Sequence, residues 1–457
     1  MKGFFSINGK LQIQLPRTCI NDTVKEVVYG LLYRAVEISY VPVDGVYVKI
    51  GDAAVPLHGQ GEGFISVTET GICLTAINER ALLNALFLLL RRVRAENLER
   101  GKELLVLPVC EETVRPKVAR RMLHFCVFPR ASLDKLKKQV RLACVLGYTH
   151  IVFEFWGSFP YECLPELAWK NASFTKAEIC DLIREANDLK VEAVPMLNSF
   201  GHASASRMVY GKHVVLDQNP RFSTLFSADG WWWRFDKKEV RALFQKMRGE
   251  LYEVFGEGEY FHIGFDESFS YPTDDLALDA LGAYLRDLCE EIVAEGRKPL
   301  IWGDQFLHEE TLGIGIESGY EGNAPSNAWA EKLLSCLPKE AIVCDWQYFV
   351  KENPWKSAVY FTNNGRKTMT CPWIDRQGIL TALKTAETLN CYGFLLTTWD
   401  KKFNEVVHTL FYTHDVLYGR ETATKKVGNS LENAAFFRKI FFADGDYERA
   451  GWTERDL

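Results

Sequence analysis

The sequence has no Cys-x-x-Cys pair and no His-Glu-x-x-His, the spacings that most directly announce a zinc site, so its motifs call for no metal and no cofactor. It has no low-complexity tract and no long run of like charge, which argues against disorder. A charge excess is missing too: 60 acidic against 54 basic residues leave −6 over 457 positions. That supplies no basic footprint for nucleic acid, and a neutral ligand is the better expectation. The longest apolar run, Ala81 to Leu90, ends in Arg91 and Arg92. It falls short of the ~20 residues that cross a bilayer, so no membrane association is expected and the run reads as a buried amphipathic helix. The opening MKGFFSINGKLQIQLPRT lacks the basic, apolar and small-residue order of an export signal. Twelve cysteines are scattered, several inside apolar segments (Cys126, Cys144, Cys180, Cys289, Cys344), which suits buried thiols in a reducing compartment, the cytoplasm.

What is present is ordinary globular composition, 47% hydrophobic and 25% charged, in a chain longer than one core usually covers. A small and a large domain are expected. To about Glu112 the pattern mixes strands (GVYVKIG, then GFISVTETGICLTAIN with a hairpin turn at Glu69-Thr70-Gly71) with a helix from Glu79 to Arg94. The segment NLERGKELLVLPVCEETVRPK is charged and carries Pro108 and Pro116, so it reads as a separator. With the boundary near Val114, residues 1–113 form a small α+β domain and residues 114–457 a larger one with C-terminal helices.

Beyond the boundary, strand and helix alternate. Eight candidate strands (RRMLHFCVF, YTHIVFEFW, KVEAVPMLN, EYFHIGF, KPLIWG, EAIVCDW, RKTMTCPW, GFLLTTW) are near-continuous apolar runs, as strands buried on both faces must be. The fold class expected is α/β, a (β/α)8 TIM barrel after a small α+β domain, with a doubly wound sheet as the alternative. In a barrel the C-terminal strand ends face one mouth, and five of them carry Trp: Trp156, Trp302, Trp346, Trp373 and Trp399. An indole offers the apolar face of a sugar ring a large platform and one N–H donor, so the ligand expected is a small carbohydrate or glycoconjugate. Any one of these Trp could equally be core filler.

Polar residues fall at or near the same strands: Arg121, His124, Glu154, Asn198, His202, Asp266, Glu267, Asp304 and Tyr348. Glycosidic bonds are commonly cleaved by two carboxyl groups, and Asp266-Glu267, directly after EYFHIGF, is the best-placed pair. Neighbours on a regular strand point to opposite sides, so both can face one substrate only if the chain bends there. A charged Asp266 would disfavour ionisation of Glu267 and keep it able to donate a proton.

FHIGFDES resembles the HIGGDE signature of glycoside hydrolase family 20, the β-N-acetylhexosaminidases, and AVPMLNSFGHASA resembles that family's VIPEIDxPGHxxA. FEFWGSFPYE, PLIWGD and LLTTW are similar to IEYEDxFPY, PLVWDD and ILTGW of the cytosolic hexosaminidase D type. The resemblance implies exo-acting hydrolysis of terminal β-linked GlcNAc, GalNAc or both, in which the substrate's 2-acetamido oxygen is the nucleophile. It implies Glu267 as general acid and base, and Asp266 as the group that orients the acetamido N–H. It further implies Arg121 and Glu154 as sugar contacts, His202 beside the acid, Trp302, Trp346 and Trp399 as aromatic walls, and Tyr348 on the acetamido oxygen. Pairing of Arg121 with a neighbouring carboxylate, Tyr348 as a wall residue and His202 as a helix cap remain open alternatives.

This sequence departs from the family at Phe265 for a small residue, Met196 and Asn198 for an acidic pair, Cys126 for Asp, and Trp156-Gly157 for Glu-Asp. Phe265 could narrow the pocket floor, and the lost carboxylates would have held His and Arg side chains. Trp231-Trp232-Trp233 reads either as a rim over the site or as packing of an insertion. Two competing functions follow: a non-catalytic sugar-binding protein on the same fold, and a retaining glycosidase using Glu154 and Glu267 on sugars without an acetamido group.

Overall fold

The computed structural model describes residues 3–441 except 8, 34, 40, 42–44, 51–60, 100–101, 205–215, 217, 313–318 and 420–428. The N-terminal part contains β1 (Phe4–Ile7), β2 (Leu11–Gln14), β3 (Val36–Ser39), β4 (Val46–Ile50), β5 (Gly63–Val67) and β6 (Ile72–Ala76). In β5, Gly63, Ile65 and Val67 alternate inward. The β5–β6 hairpin closes where Thr68 N–H donates to Gly71 O at 2.9 Å. Asn78 then accepts from Ala81 N–H at 2.9 Å and starts the helix Glu79–Leu90.

That helix stops at Leu90, short of the expected Arg94, because β7 (Arg94–Glu99) begins there. All positions from Ala81 to Leu90 are buried, so it is enclosed all round rather than amphipathic, with Asn84, bonded to the Tyr418 hydroxyl, the one polar side chain in that span. One side covers β5 and β6 while the other meets the helix Leu133–Val145 of the larger part. The expected separator is instead ordered as β8 (Lys102–Pro108) and β9 (Cys110–Val114). β8 pairs with β1 and β7, and β9 extends β5 with Glu111 and Thr113 outward, so the charges mark a solvated sheet face rather than a linker.

The larger part is a closed barrel of eight parallel strands: β10 (Arg121–Val127), β11 (His150–Phe155), β12 (Glu192–Met196), β13 (Tyr260–His262), β14 (Lys298–Trp302), β15 (Ile342–Trp346), β16 (Lys367–Cys371) and β17 (Gly393–Thr397). β10 closes on β17 from Arg121↔Phe394 to His124↔Thr397, which excludes the doubly wound alternative. Every residue of β10 is buried, as a strand between an inner core and outer helices requires. The inside is filled by Met122, Val152, Val194, Leu300, Met369 and Leu395 among others. Helices Leu133–Val145, Lys176–Asp188, Lys238–Phe255, Asp275–Ala294, Asn327–Cys336, Lys356–Asn363, Arg376–Thr388 and Phe403–Leu417 follow the strands in turn. Ser132, Thr175, Asp274, Ser326 and Asp375 cap five of their N-termini. Among the described residues no helix is long and apolar enough to cross a membrane. All twelve cysteines are free; Cys126, Cys144, Cys289 and Cys344 are buried, whereas Cys180 faces out.

Arg121 corrects one expectation. As the first residue of β10 it lies at the N-terminal end of the barrel, opposite the mouth, and is fully buried. Its guanidinium donates to Glu62 Oε1 at 2.9 Å and Oε2 at 3.0 Å, and to the Gly147 carbonyl at 2.7 Å. It therefore joins the small domain to the barrel floor and cannot reach a sugar at the other end. Burial alone would raise the Glu62 carboxyl, but the charges of Arg121 and Arg80 outweigh it and hold it below its ordinary value.

Candidate active site

Parallel strands bring all eight C-terminal ends to one face, and the site is built where β13 ends there. Gly264, Phe265 and Glu267 have φ of 68°, 89° and 45°, so the chain turns through left-handed conformations immediately after His262. Gly264 is required: a Cβ there would lie 1.7 Å from Asn198 Oδ1. A Cβ on Gly201 would lie 1.5 Å from the Asp266 carbonyl oxygen, so this backbone contact also demands glycine. The bend is what lets two sequence neighbours face the same group. His202 Nε2 stands 3.2 Å from Glu267 Oε2 and 3.6 Å from Asp266 Oδ2. Phe265 does not narrow the floor; its ring is buried against Phe200, 4.8 Å between centroids.

Asp304, after β14, holds the far side. It is buried and accepts from Glu267 N–H (3.2 Å), Asn323 Nδ2 (2.7 Å) and Trp346 Nε1 (3.1 Å). Burial, with a smaller push from the Glu267 charge, keeps its carboxyl above the ordinary aspartate value despite those donors. Asp304 thus ties the backbone of Glu267 to the ring of Trp346, a role its position at a strand end did not disclose.

Aromatic rings continue from Trp346. Its ring is 5.0 Å from that of Tyr348, whose hydroxyl oxygen accepts from Trp399 Nε1 at 2.6 Å. Trp373 lies 5.6 Å from Tyr348, and Trp302 5.7 Å from Trp399. Burial raises the Tyr348 phenol well above its ordinary value, so it stays a neutral hydroxyl. On the opposite side Trp156 and Trp231 approach His202 at 5.7 and 5.4 Å, and Trp231 meets Phe269 edge-on at 5.0 Å.

The three consecutive tryptophans divide the two readings between them. Trp233 is core, against Phe226 and Phe244, while Trp231 is at the mouth. The segment is held by Trp233 N–H to Phe200 O (3.0 Å) and Ala203 N–H to Trp231 O (3.2 Å), which seats Trp231 beside His202.

Glu154 lies inside the barrel wall, 2% exposed, with Oε2 3.0 Å from His124 Nε2 and 3.3 Å from Cys126 Sγ. His124 is wedged against Trp399 and Trp302, with centroids at 4.7 and 5.7 Å. Of the residues singled out in the sequence, Asp266, Glu267, His202, Trp346, Tyr348 and Trp399 thus form one linked rim, with the fully buried Trp302 and Glu154 beneath it; Arg121 is outside. The Asn198 amide and Trp302 Nε1 are among the buried groups that make no hydrogen bond to the described residues, as are Trp329 Nε1 and Trp355 Nε1 elsewhere in the barrel.

No protein-family model and no curated protein matches the sequence. Solved structures match along nearly its whole length. The chain is similar to a family 20 exo-β-N-acetylglucosaminidase from Vibrio harveyi in complex with N-acetylglucosamine (TM-score 0.67, 12% identity, covering 97% of this chain and 76% of that one). It is also similar to the β-N-acetylhexosaminidase of Bacteroides fragilis (TM-score 0.66, 16% identity, 99% and 94% covered). A third is the family 20 β-N-acetylhexosaminidase of Streptomyces coelicolor (TM-score 0.67, 15% identity, 97% and 94% covered). At these identities the likeness is one of fold, a (β/α)8 barrel with a small N-terminal domain.

Proposed function

We propose that this chain is a family 20 glycoside hydrolase, an exo-acting retaining β-N-acetylhexosaminidase that removes terminal β-linked GlcNAc or GalNAc by substrate assistance. The observation that carries the reading is the placement of Asp266 and Glu267 on one histidine at the barrel mouth, inside a rim of indoles. The fold shared with known hexosaminidases agrees with it.

In this reading the sugar ring lies against Trp399, which Trp302 backs from below, and its N-acetyl group enters between Trp346 and Tyr348. The acetamido oxygen forms a bond to the anomeric carbon as the bond to the leaving oxygen breaks, and Glu267 passes its proton to that oxygen. Asp266 accepts from the acetamido N–H and stabilises the positive charge of the cyclic ion. Water then adds to the anomeric carbon, Glu267 takes its proton, and the acetamido group is released. His202, in reach of both carboxylates, fixes their separation. Trp399 N–H holds the oxygen of Tyr348, aiming the hydroxyl proton at the acetamido oxygen. Trp231 and Phe269, beside the acid, form the leaving-group side. Glu154, already engaged by His124 and Cys126, supports the wall and is not the second catalytic carboxylate.

Nitrophenol release from aryl β-N-acetylglucosaminide and β-N-acetylgalactosaminide, against the plain β-glucoside and β-galactoside, tests this in wild type and Asp266→Asn. Turnover of acetamido sugars alone, lost in the variant, is the expected result. Comparable turnover of plain glycosides would support the two-carboxylate reaction. Saturable sugar binding without any turnover would make the protein a receptor on an enzyme fold.

A further inference from the structure

The sequence carries no zinc-binding spacing, yet the barrel assembles a donor set that no single segment contains. His124 and Cys126 are two apart on β10 and so share its inner face, and Cys126 is paired in register with Glu154 on β11. Nε2, Sγ and a carboxylate oxygen of these residues all lie within 4.8 Å of one another, and all three residues are buried. We infer that His124, Cys126 and Glu154 form a binding site for one divalent cation of the zinc class, beneath the aromatic rim of the mouth.

The distances carry this. Zinc bonds of about 2.0–2.1 Å to nitrogen, 2.3 Å to thiolate and 2.0–2.2 Å to oxygen place tetrahedral ligands about 3.4 Å (N to O) and about 3.6 Å (S to O) apart. Here Nε2 to Oε2 is 3.0 Å and Sγ to Oε2 is 3.3 Å, so an opening of a few tenths of an ångström admits the ion. The donor types exclude other common cations: imidazole and thiolate select zinc or its borderline-soft neighbours, whereas magnesium and calcium take oxygen. Among the described residues these three side chains supply three of the four tetrahedral positions. Trp399 and Trp302 hold the His124 ring from two sides, so its ring nitrogen is fixed before metal arrives. On binding, Cys126 gives up its thiol proton to solvent and the sulfur lone pair goes to the metal, with no change of oxidation state.

The same fold brings His150, Glu192 and Glu259 together, a cluster that has no sulfur and so separates the two candidates by spectroscopy. The experiment titrates the reduced, chelator-treated full chain with Co2+ and then Zn2+. Expected is one equivalent of Co2+ with a thiolate-to-metal charge-transfer band, displaced by Zn2+, and tighter uptake as pH rises. Cys126→Ser abolishes the band, while Glu154→Gln, which keeps the thiol, weakens Zn2+ binding more than about tenfold. Cys371→Ala, which removes another thiol of the barrel interior, leaves the band unchanged. Circular dichroism establishes that each variant is folded, and anomalous scattering at the zinc edge locates the ion. Absence of stoichiometric uptake, a band that survives Cys126→Ser, or an anomalous peak away from these three side chains would each overturn the assignment.

Discussion

Two carboxyl groups illustrate how position decides what an acid does here. Glu267 lies at the mouth, 3.2 Å from His202 Nε2, and under the proposed reaction its removal is felt only where a proton must be supplied. Glu267→Gln is expected to lower kcat about 10²–10⁴-fold on alkyl or sugar leaving groups and far less on a nitrophenyl group, which departs without a proton. Equal losses on both would remove Glu267 from the acid role. Asp345, on the outer side of β15, is buried and accepts from Ser357 Oγ at 2.7 Å and Gln347 Nε2 at 3.0 Å. Burial outweighs those bonds and lifts its pKa from 3.8 to about 6. The native state thus holds this proton more tightly than the unfolded chain does. The associated stability is complete below pH ~3.8 and is lost as pH rises through ~6, by about 3 kcal/mol. Asp345→Asn, able to keep both hydrogen bonds, should flatten that part of the stability profile in urea titrations between pH 4 and 7; an unchanged slope would mean the carboxyl is not the group titrating. Asp266 and Glu267 were legible in the sequence because they directly follow an apolar strand. Arg121 misled because a strand's residues can be read from sequence while the end of the barrel each one occupies depends on where pairing starts.

At the level of elements, the eight barrel strands were legible because burial on both faces makes most of them predominantly apolar. β7, β8 and β9 were not, since the charges in their sequence, Glu111 on the outward face of β9 among them, also mark linkers. The His124-Cys126-Glu154 cluster was hidden for a related reason: β10 and β11 declare themselves as strands, but the pairing Cys126↔Glu154 is a property of register. The joint between β10 and the small domain gives a further test. Glu62→Gln leaves the fully buried Arg121 with one charge partner fewer, and breaking a pair of this kind costs ~3–5 kcal/mol. Because the Glu62 carboxyl is held below its unfolded value of 4.5, the joint's contribution is present above that pH and is lost as pH falls through the lower folded value. Wild type should therefore lose more stability than the variant on acidification below pH ~4. Denaturation midpoints that fall in parallel would show that this pair does not bear on folding.

Over the whole molecule, the helix Glu79–Leu90 decides whether the chain behaves as two units or one. An amphipathic helix would have left the small domain with its own core and a polar back; this one is buried on every side from Ala81 to Leu90 and lies between β5, β6 and the barrel helix Leu133–Val145. The two parts therefore share a core, and neither buries its apolar surface alone. Leu86, fully buried at the middle of this helix, is the residue to truncate. Leu86→Ala should cost ~2–5 kcal/mol through lost transfer energy and the cavity left behind. Eleven of the twelve tryptophans lie between positions 156 and 399, in the barrel part, so intrinsic fluorescence reports chiefly on the barrel although the substitution is in the small domain. With a shared core the fluorescence and far-ultraviolet circular dichroism transitions in urea shift together to lower concentration. If fluorescence stays in place while circular dichroism develops an earlier step, the small domain unfolds by itself and the helix belongs to it alone.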